Sequence, residues 1–250
     1  MTERLLFRLA GPLASWGEIA VGEVRSSWPE PSKSAVLGLV AAALGVERAD
    51  TARHGALHAG LEFAVRLDSR ASPLRDYHTA QSPSARKGVK WATRADELSD
   101  AKGLNTILSE RWYWQEFSAT ICLTPRDDGQ QSLKELAEAL RNPRFPLYLG
   151  RKSCPLGRPL NPAVLMVAEI AAAFTEYDAL DAGAWTAAFE EMASKERPDL
   201  CPSGPAIWRD ATGDGMARRR RRDSVRDRAV WTFDDRDEER IPYAAPKGNG

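Results

Sequence analysis

The stretch Trp28–Gly45, WPEPSKSAVLGLVAAALG, decides the fold. Pro29 and Pro31 resist helix, and Ser32 behind them is a good N-cap because its hydroxyl can accept an orphan amide proton. Ala35 to Leu44 carries nothing charged or hydroxylated, and Gly45 is a natural left-handed stop. A helix this uniformly apolar is buried on most sides. Lys33 and Ser34 fall in its first turn, where free amides and the helix dipole attract anions. The spacing therefore predicts a buried helix whose mouth can hold a phosphate.

Before this helix, Arg4 to Leu9 alternates as a strand, with Leu5, Phe7 and Leu9 on one face and Arg4, Leu6 and Arg8 on the other, ended by Gly11-Pro12. The long connection that follows holds Trp16, Arg25 and Trp28. Aromatics near a base suit a single-stranded nucleic acid, whose bases stack while its phosphates pair; packing of both indoles over the sheet is the other reading. After the helix, His54–Gly60 reads as a short connection, and Leu61 to Asp68 alternates as a half-buried strand. From Ala71 to about Ser109 the texture changes to Pro73, Pro83, Gly88 and Gly103, with few large aliphatics and many bases. This is an extended insertion with little core of its own.

Regular structure resumes at Arg111, where WYWQEFSATICL reads as a long strand, and Asp127-Asp128-Gly129 is a turn. Ser132 with Glu135 offers a capping box to a second helix, which Pro143 ends. Phe145–Gly150, FPLYLG, reads as a fourth strand before the glycine- and proline-marked RKSCPLGRPLNP. Those glycines let backbone approach a phosphate, or simply make turns. The order is that of a ferredoxin-like (RRM-like) βαββαβ domain of the α+β class, over residues 1–160. Residues 161–250 read as an irregular β-rich extension. It has a short strand at Val164–Val167, a helix at Asp181–Ser194, and strands at Ile207-Trp208 and Val230–Phe233 flanking a basic loop, Arg218–Arg222. Ala244–Gly250 reads as a frayed tail.

Lys and Arg total 35 against 35 Asp and Glu, so no global basic field exists. Local blocks do: bases gather between Arg66 and Arg94 and in the five arginines 218–222, and acids between Asp234 and Glu239. Solvated loops are the plain account of such runs. Cys122, Cys154 and Cys201 form neither a disulfide framework nor zinc spacing, no apolar run reaches membrane-spanning length, and a reduced cytoplasm fits. His54, His58 and His78 are the only histidines, and no metal site or cofactor is expected. His78, in DYHTAQSP, has the chemistry of a general base for RNA cleavage, but no lysine or second histidine stands next to it in sequence; a solvated loop histidine is the alternative.

Four motifs in order, RLAGPLASWG at Arg8–Gly17, PSKSAVLGLVAAALG at Pro31–Gly45, DYHTAQ at Asp76–Gln81 and YLGRKSCPLGRPL at Tyr148–Leu160, resemble the CasD family. These are RAMP-superfamily subunits of the type I-E CRISPR Cascade complex. The resemblance implies a ferredoxin-like domain with a protruding thumb, matched by the insertion at about 71–109. It implies a non-catalytic subunit that binds the 5′ handle of the CRISPR RNA (crRNA) and abuts the Cascade backbone and large subunits, with target DNA reached through the complex and no membrane. The residues expected to meet RNA are Trp16, Arg25, Trp28, Lys33 and Ser34 around the buried helix. Arg75, His78, Arg86, Lys87 and Lys90 are expected to do so on the insertion, and Arg151 and Lys152 in the glycine-marked loop. The alternative is a metal-independent endoribonuclease acting on precursor CRISPR RNA; related subunits of another subtype use a tyrosine, lysine and histidine set, which is not matched here. For Arg218–Arg222, contact with RNA, target DNA or a neighbouring subunit stays open beside a solvated loop.

Overall fold

The computed structural model describes residues 1–250 apart from 18–19, 21, 70, 85–87, 100–102, 127–131, 190–205, 228–231 and 244–250, and only the backbone of 185–189. The first part of the chain forms β1 (Thr2–Ala14), β2 (Trp16–Gly17), β3 (Val24–Arg25), β4 (Ser27–Trp28), α1 (Lys33–Ala43), α2 (Thr51–Gly60) and β5 (Leu61–Leu67). A long ribbon follows, built from β6 (Ser72–Pro83), α3 (Arg94–Leu98) and β7 (Leu104–Pro125). Then come α4 (Leu133–Arg141), β8 (Ala163–Val167), α5 (Ile170–Phe189), β9 (Ile207–Asp210), β10 (Ala217–Asp227) and β11 (Thr232–Ile241).

The main sheet runs β10-β11-β9-β5-β7-β1-β8 with every neighbour antiparallel. It is a mixed α/β architecture on a mostly antiparallel sheet. Alternation along the strands sends Leu5, Phe7, Phe63, Val65 and Ile121 to one face, where α1 buries Val36, Leu37 and Val40 against them. The opposite face carries Leu6, Ala64 and Cys122, and α5 covers it with Phe174 and Tyr177. Arg8 and Arg66 also lie on this second face, and both bind Asp178 of α5, at 2.8 and 2.6 Å. Burying such cations is tolerable only because each is paired.

The buried helix α1 forms as its caps dictate. Ser32 Oγ accepts from the amide of Ala35 at 3.1 Å. At the other end Gly45 takes φ 71°, while its amide donates to Ala42 and that of Val46 to the Ala41 carbonyl at 2.8 Å. That is the Schellman closure expected of a glycine one past the cap.

Several expectations are corrected. Gly11-Pro12 does not end β1: the pairing with β7 resumes at Leu13↔Gln115 beyond Pro12, which has no amide to offer. His54–Gly60 is not a connection but most of α2, capped by Asp50; its polar surface hid it. Phe145–Gly150 is not a strand, since only Tyr148 bridges, to Pro155; the strand that pairs with β1 on the side away from β7 is β8. The sheet is thus continuous across residue 160. The helix expected at Asp181–Ser194 begins earlier, at Ile170, and its residues past 189 lie outside the described residues. The expected turn at 127–129, Val230-Trp231 and the tail at 244–250 also lie outside them. Arg218–Arg222 is not a loop. It is part of β10, with Arg218–Arg221 in register with Glu239–Arg236 of β11 and Arg222 at the bulge that follows.

Candidate nucleic-acid interface

The insertion is a two-stranded ribbon. β6 pairs with the first half of β7 from Ser72↔Gln115 to Pro83↔Leu104, and most of its side chains are exposed. It leaves the sheet where Glu116 of β7 takes φ 51°, between the pairs Gly11↔Phe117 and Leu13↔Gln115 and opposite Pro12. Near its foot β3 adds a short third strand, bringing Arg25 beside Arg111. Arg75 is 61% exposed and only 3.9 Å from Glu110, a loose surface pair. His78 hydrogen-bonds to Asp76 on the same face. Lys90 is exposed towards the tip, whereas Arg86 and Lys87 lie outside the described residues.

The glycine-marked loop packs on the end of β1, against the foot of this ribbon. The Ser15 amide donates to Leu149 at 3.0 Å and that of Gly157 to Ala10 at 2.8 Å. Gly150, at φ 88°, lies so close that a Cβ there would stand 1.8 Å from the Ser15 carbonyl oxygen, so only glycine fits. Next to it the Arg151 guanidinium lies 4.8 Å over the ring of Tyr113 in β7, with a buried Nη1 that has no hydrogen-bond partner among the described residues. Lys152 is exposed. The Arg151–Tyr113 contact joins residues far apart along the chain, so no local sequence signal marks it.

Trp16, expected to stack on bases, is core: it is 2% exposed and meets Phe117 edge-on at 5.3 Å. Trp28 is half-buried, paired across the small sheet with Trp16, and the guanidiniums of Arg221 and Arg219 stand 4.9 and 5.4 Å from its ring. The mouth of α1 does hold an anion, but it is the chain's own. The Lys33 amide donates to Asp223 Oδ2 at 2.9 Å, and the Lys33 ammonium donates to Asp210 Oδ2 at 2.7 Å. Lys33 is 3% exposed, and burial lowers its pKa in spite of Asp210. Burial pushes the Asp223 carboxyl up, but the hydrogen bonds and charge of Arg236 outweigh this and hold it below the usual range. Ser34 stays beside Ser32, with 3.1 Å between their hydroxyls. The structure therefore sets Arg25 beside β7 near the ribbon's foot, Arg151 over Tyr113 of β7, and Arg75 on β6 opposite Trp112, and it draws Lys33 and Trp28 into a separate buried ionic cluster with β10.

Among the described residues no three His, Cys, Asp or Glu are placed to hold a metal ion, and no helix is long and apolar enough to cross a membrane.

The family model described as CRISPR-associated protein (Cas_Cas5) matches residues 4–237. Over 168 residues the chain is 36% identical to the CRISPR system Cascade subunit CasD of Escherichia coli (strain K12), covering 64% of this chain and 70% of that one. A chain of a solved CRISPR RNA-guided surveillance complex is similar with a TM-score of 0.63 and 25% identity, over 97% of this chain and 91% of its own. A solved Cas protein is similar with a TM-score of 0.58 and 26% identity, over 99% of this chain and 100% of its own.

Proposed function

The chain belongs to the CRISPR-associated Cas5 family, and on that premise we propose that it is a non-catalytic subunit of a Cascade-type surveillance complex. It caps the 5′ handle of the crRNA and seats it against the neighbouring backbone and large subunits. In this reading β5-β7-β1-β8 with α1 and α4 is the ferredoxin-like domain, the ribbon is its thumb, and the domain's fourth strand lies just past residue 160. The handle runs over the foot of the ribbon, where Arg25, Arg75 and Arg151 supply phosphate partners and His78 and Lys90 line the path outward.

The observation that carries this reading is Arg151. Its ring contact with Tyr113 fixes the guanidinium at the junction of loop and ribbon, and its Nη1 is buried without a partner among the described residues. A buried donor left unpaired is unfavourable unless a ligand completes it, and an RNA phosphate does so with a charge-assisted bond. The likeness to a chain of an RNA-guided complex supplies the ligand class.

Repeat-derived RNA incubated with the purified chain in EDTA tests it. The RNA should bind and stay intact, and Arg151→Ala should lower the slope of log affinity against log salt by about 0.7, one single-strand phosphate. An unchanged slope overturns the assignment of Arg151. Cleavage abolished by His78→Ala makes the endoribonuclease reading correct instead.

A further inference from the structure

The cluster between α1 and β10 is balanced charge for charge. Lys33, Arg219, Arg220, Arg221 and Arg236 face Glu30, Asp210, Asp223, Asp237 and Glu238, at separations between 2.6 and 3.8 Å where the pairs are well spaced. Two further arginines stand at its margin. Arg126, just past the end of β7, is 45% exposed and reaches Asp210 at 3.4 Å, a carboxylate that Lys33 and Arg236 already hold more closely. Arg218, at the start of the basic run, is exposed and has no ion pair among the described residues. Both line one open cleft of about 430 Å³, whose other lining residues include Thr212, Gly213 and Asp237. With Arg236, Asp210 and Asp237 also in its lining, the cleft carries three arginines against two carboxylates, a net positive charge.

We propose that this cleft is a second nucleic-acid contact, separate from the ribbon, that takes the phosphodiester backbone of a single strand without reading its bases. No lining residue is aromatic, so a base finds nothing to stack on and only phosphates are recognised. The contact extends beyond one phosphate. Alternate residues of a strand share a face, so Arg220 continues the row from Arg218 at a repeat of about 6.7 Å, two β residues, which suits successive phosphates of an extended strand; Arg222 follows at a bulge, where its Nε donates to the Phe233 carbonyl at 3.0 Å. Arg220 is paired with Asp237 at 3.1 Å, but both are exposed, and such a pair is weak enough to give way to a phosphate. Among the described residues β10 is also the sheet's outer edge, with no β-strand beyond it.

The test needs no handle sequence, so this proposal and the handle reading can fail independently. A labelled random-sequence single-stranded oligonucleotide is titrated with the full chain between about 50 and about 200 mM salt. Arg218→Ala should lower the salt slope by about 0.7, and Arg126→Ala with Arg218→Ala by about 1.4, with roughly fivefold weaker binding at low salt. Lys at both positions should restore most of the slope. Arg218 is exposed and has no ion pair among the described residues, so the single variant decides the matter even if the double variant fails to fold. An unchanged slope overturns the proposal. So does displacement of the oligonucleotide by sub-millimolar inorganic phosphate, which would mark a one-ion site. Normal oligonucleotide binding combined with failure to join the assembled complex would assign the cleft to an acidic protein partner, and would equally overturn it.

Discussion

Two arginine-bearing regions look alike along the chain and differ in three dimensions. At the foot of the ribbon, Arg25, Arg75 and Arg151 come from separate segments, and among the described residues none has a close carboxylate partner: Arg25 bonds to the Gly22 and Val24 carbonyls and Arg75 is 3.9 Å from Glu110. In β10 the arginines are consecutive, and the register places Arg219 opposite Glu238 and Arg220 opposite Asp237. The block of five bases meets the block of acids in the next strand, and most of its charge is cancelled. A local excess of base becomes a field only where the fold supplies no opposing carboxylates. The three scattered arginines can thus bind an anion more readily than most of the contiguous run.

The strongest way to break this contrast is to remove a carboxylate from the β10 cluster. Asp210 accepts from Lys33 at 2.7 Å, from Arg236 at 2.6 Å and from the Phe63 amide at 3.3 Å. Asp210→Ala leaves two buried cations short of a partner, and a loss of about 3–5 kcal/mol is expected in urea unfolding. A loss within about 1 kcal/mol, the range of a surface pair, would mean that the cluster is no more committed than the ribbon's foot.

Acid sharpens the same contrast. The Asp223 carboxyl is depressed as described above. Glu239 is also depressed: burial pushes it up, but the amides of Thr212 and Gly213, the Thr212 hydroxyl and Arg209 outweigh that. A carboxyl whose folded pKa lies below its unfolded value stabilises the fold fully above the unfolded pKa, about 4. That stability is lost as pH falls from there through the folded value. Unfolding free energy should therefore stay level down to about pH 5 and then decline, and Asp223→Asn should make the decline shallower. The same slope in both proteins would show that Asp223 is not held low.

At the foot of the ribbon Glu116 takes φ 51°, where the ribbon leaves the sheet. A non-glycine residue in the left-handed region is disfavoured by about 1–3 kcal/mol, and glycine's greater unfolded-state freedom offsets about 0.5–1 kcal/mol of any relief. Glu116→Gly should raise stability by about 1 kcal/mol. A loss of stability would locate the strain elsewhere.

Much of this was legible in the sequence, and the rest was hidden for identifiable reasons. The caps of α1 at Ser32 and Gly45 are local chemistry and form as read. The alternation of Leu61–Leu67 likewise gives β5. By contrast, α2 presents His54, Gly55, His58 and Gly60, whose intrinsic preference for helix is weak, and packing against α1 supplies what propensity lacks. The partners of Lys33, Asp210 and Asp223, stand far away in the chain, so its first turn read as an open anion site when it was already filled. For the same reason Trp16 read equally well as a stacking platform and as core. Side-chain type announces what a residue can bind, while long-range pairing decides whether that capacity is already used.

The smallest effect on stability is expected at the exposed cations near the ribbon's foot. Arg75 and Lys152 are exposed, Arg75 keeps only its loose contact with Glu110, and neither belongs to the packed core. Arg75→Ala with Lys152→Ala should leave the melting temperature unchanged within measurement, because exposed ion pairs contribute little. The same change should lower the salt slope for handle RNA by about 1.4, two single-strand phosphates. Each half of this outcome tests a different side of the comparison. A drop in melting temperature would mean that the foot of the ribbon is held by charge as β10 is. An unaltered slope with unaltered melting would mean that these cations are merely solvated, and the handle's path would have to be sought along the cleft at Arg126 and Arg218.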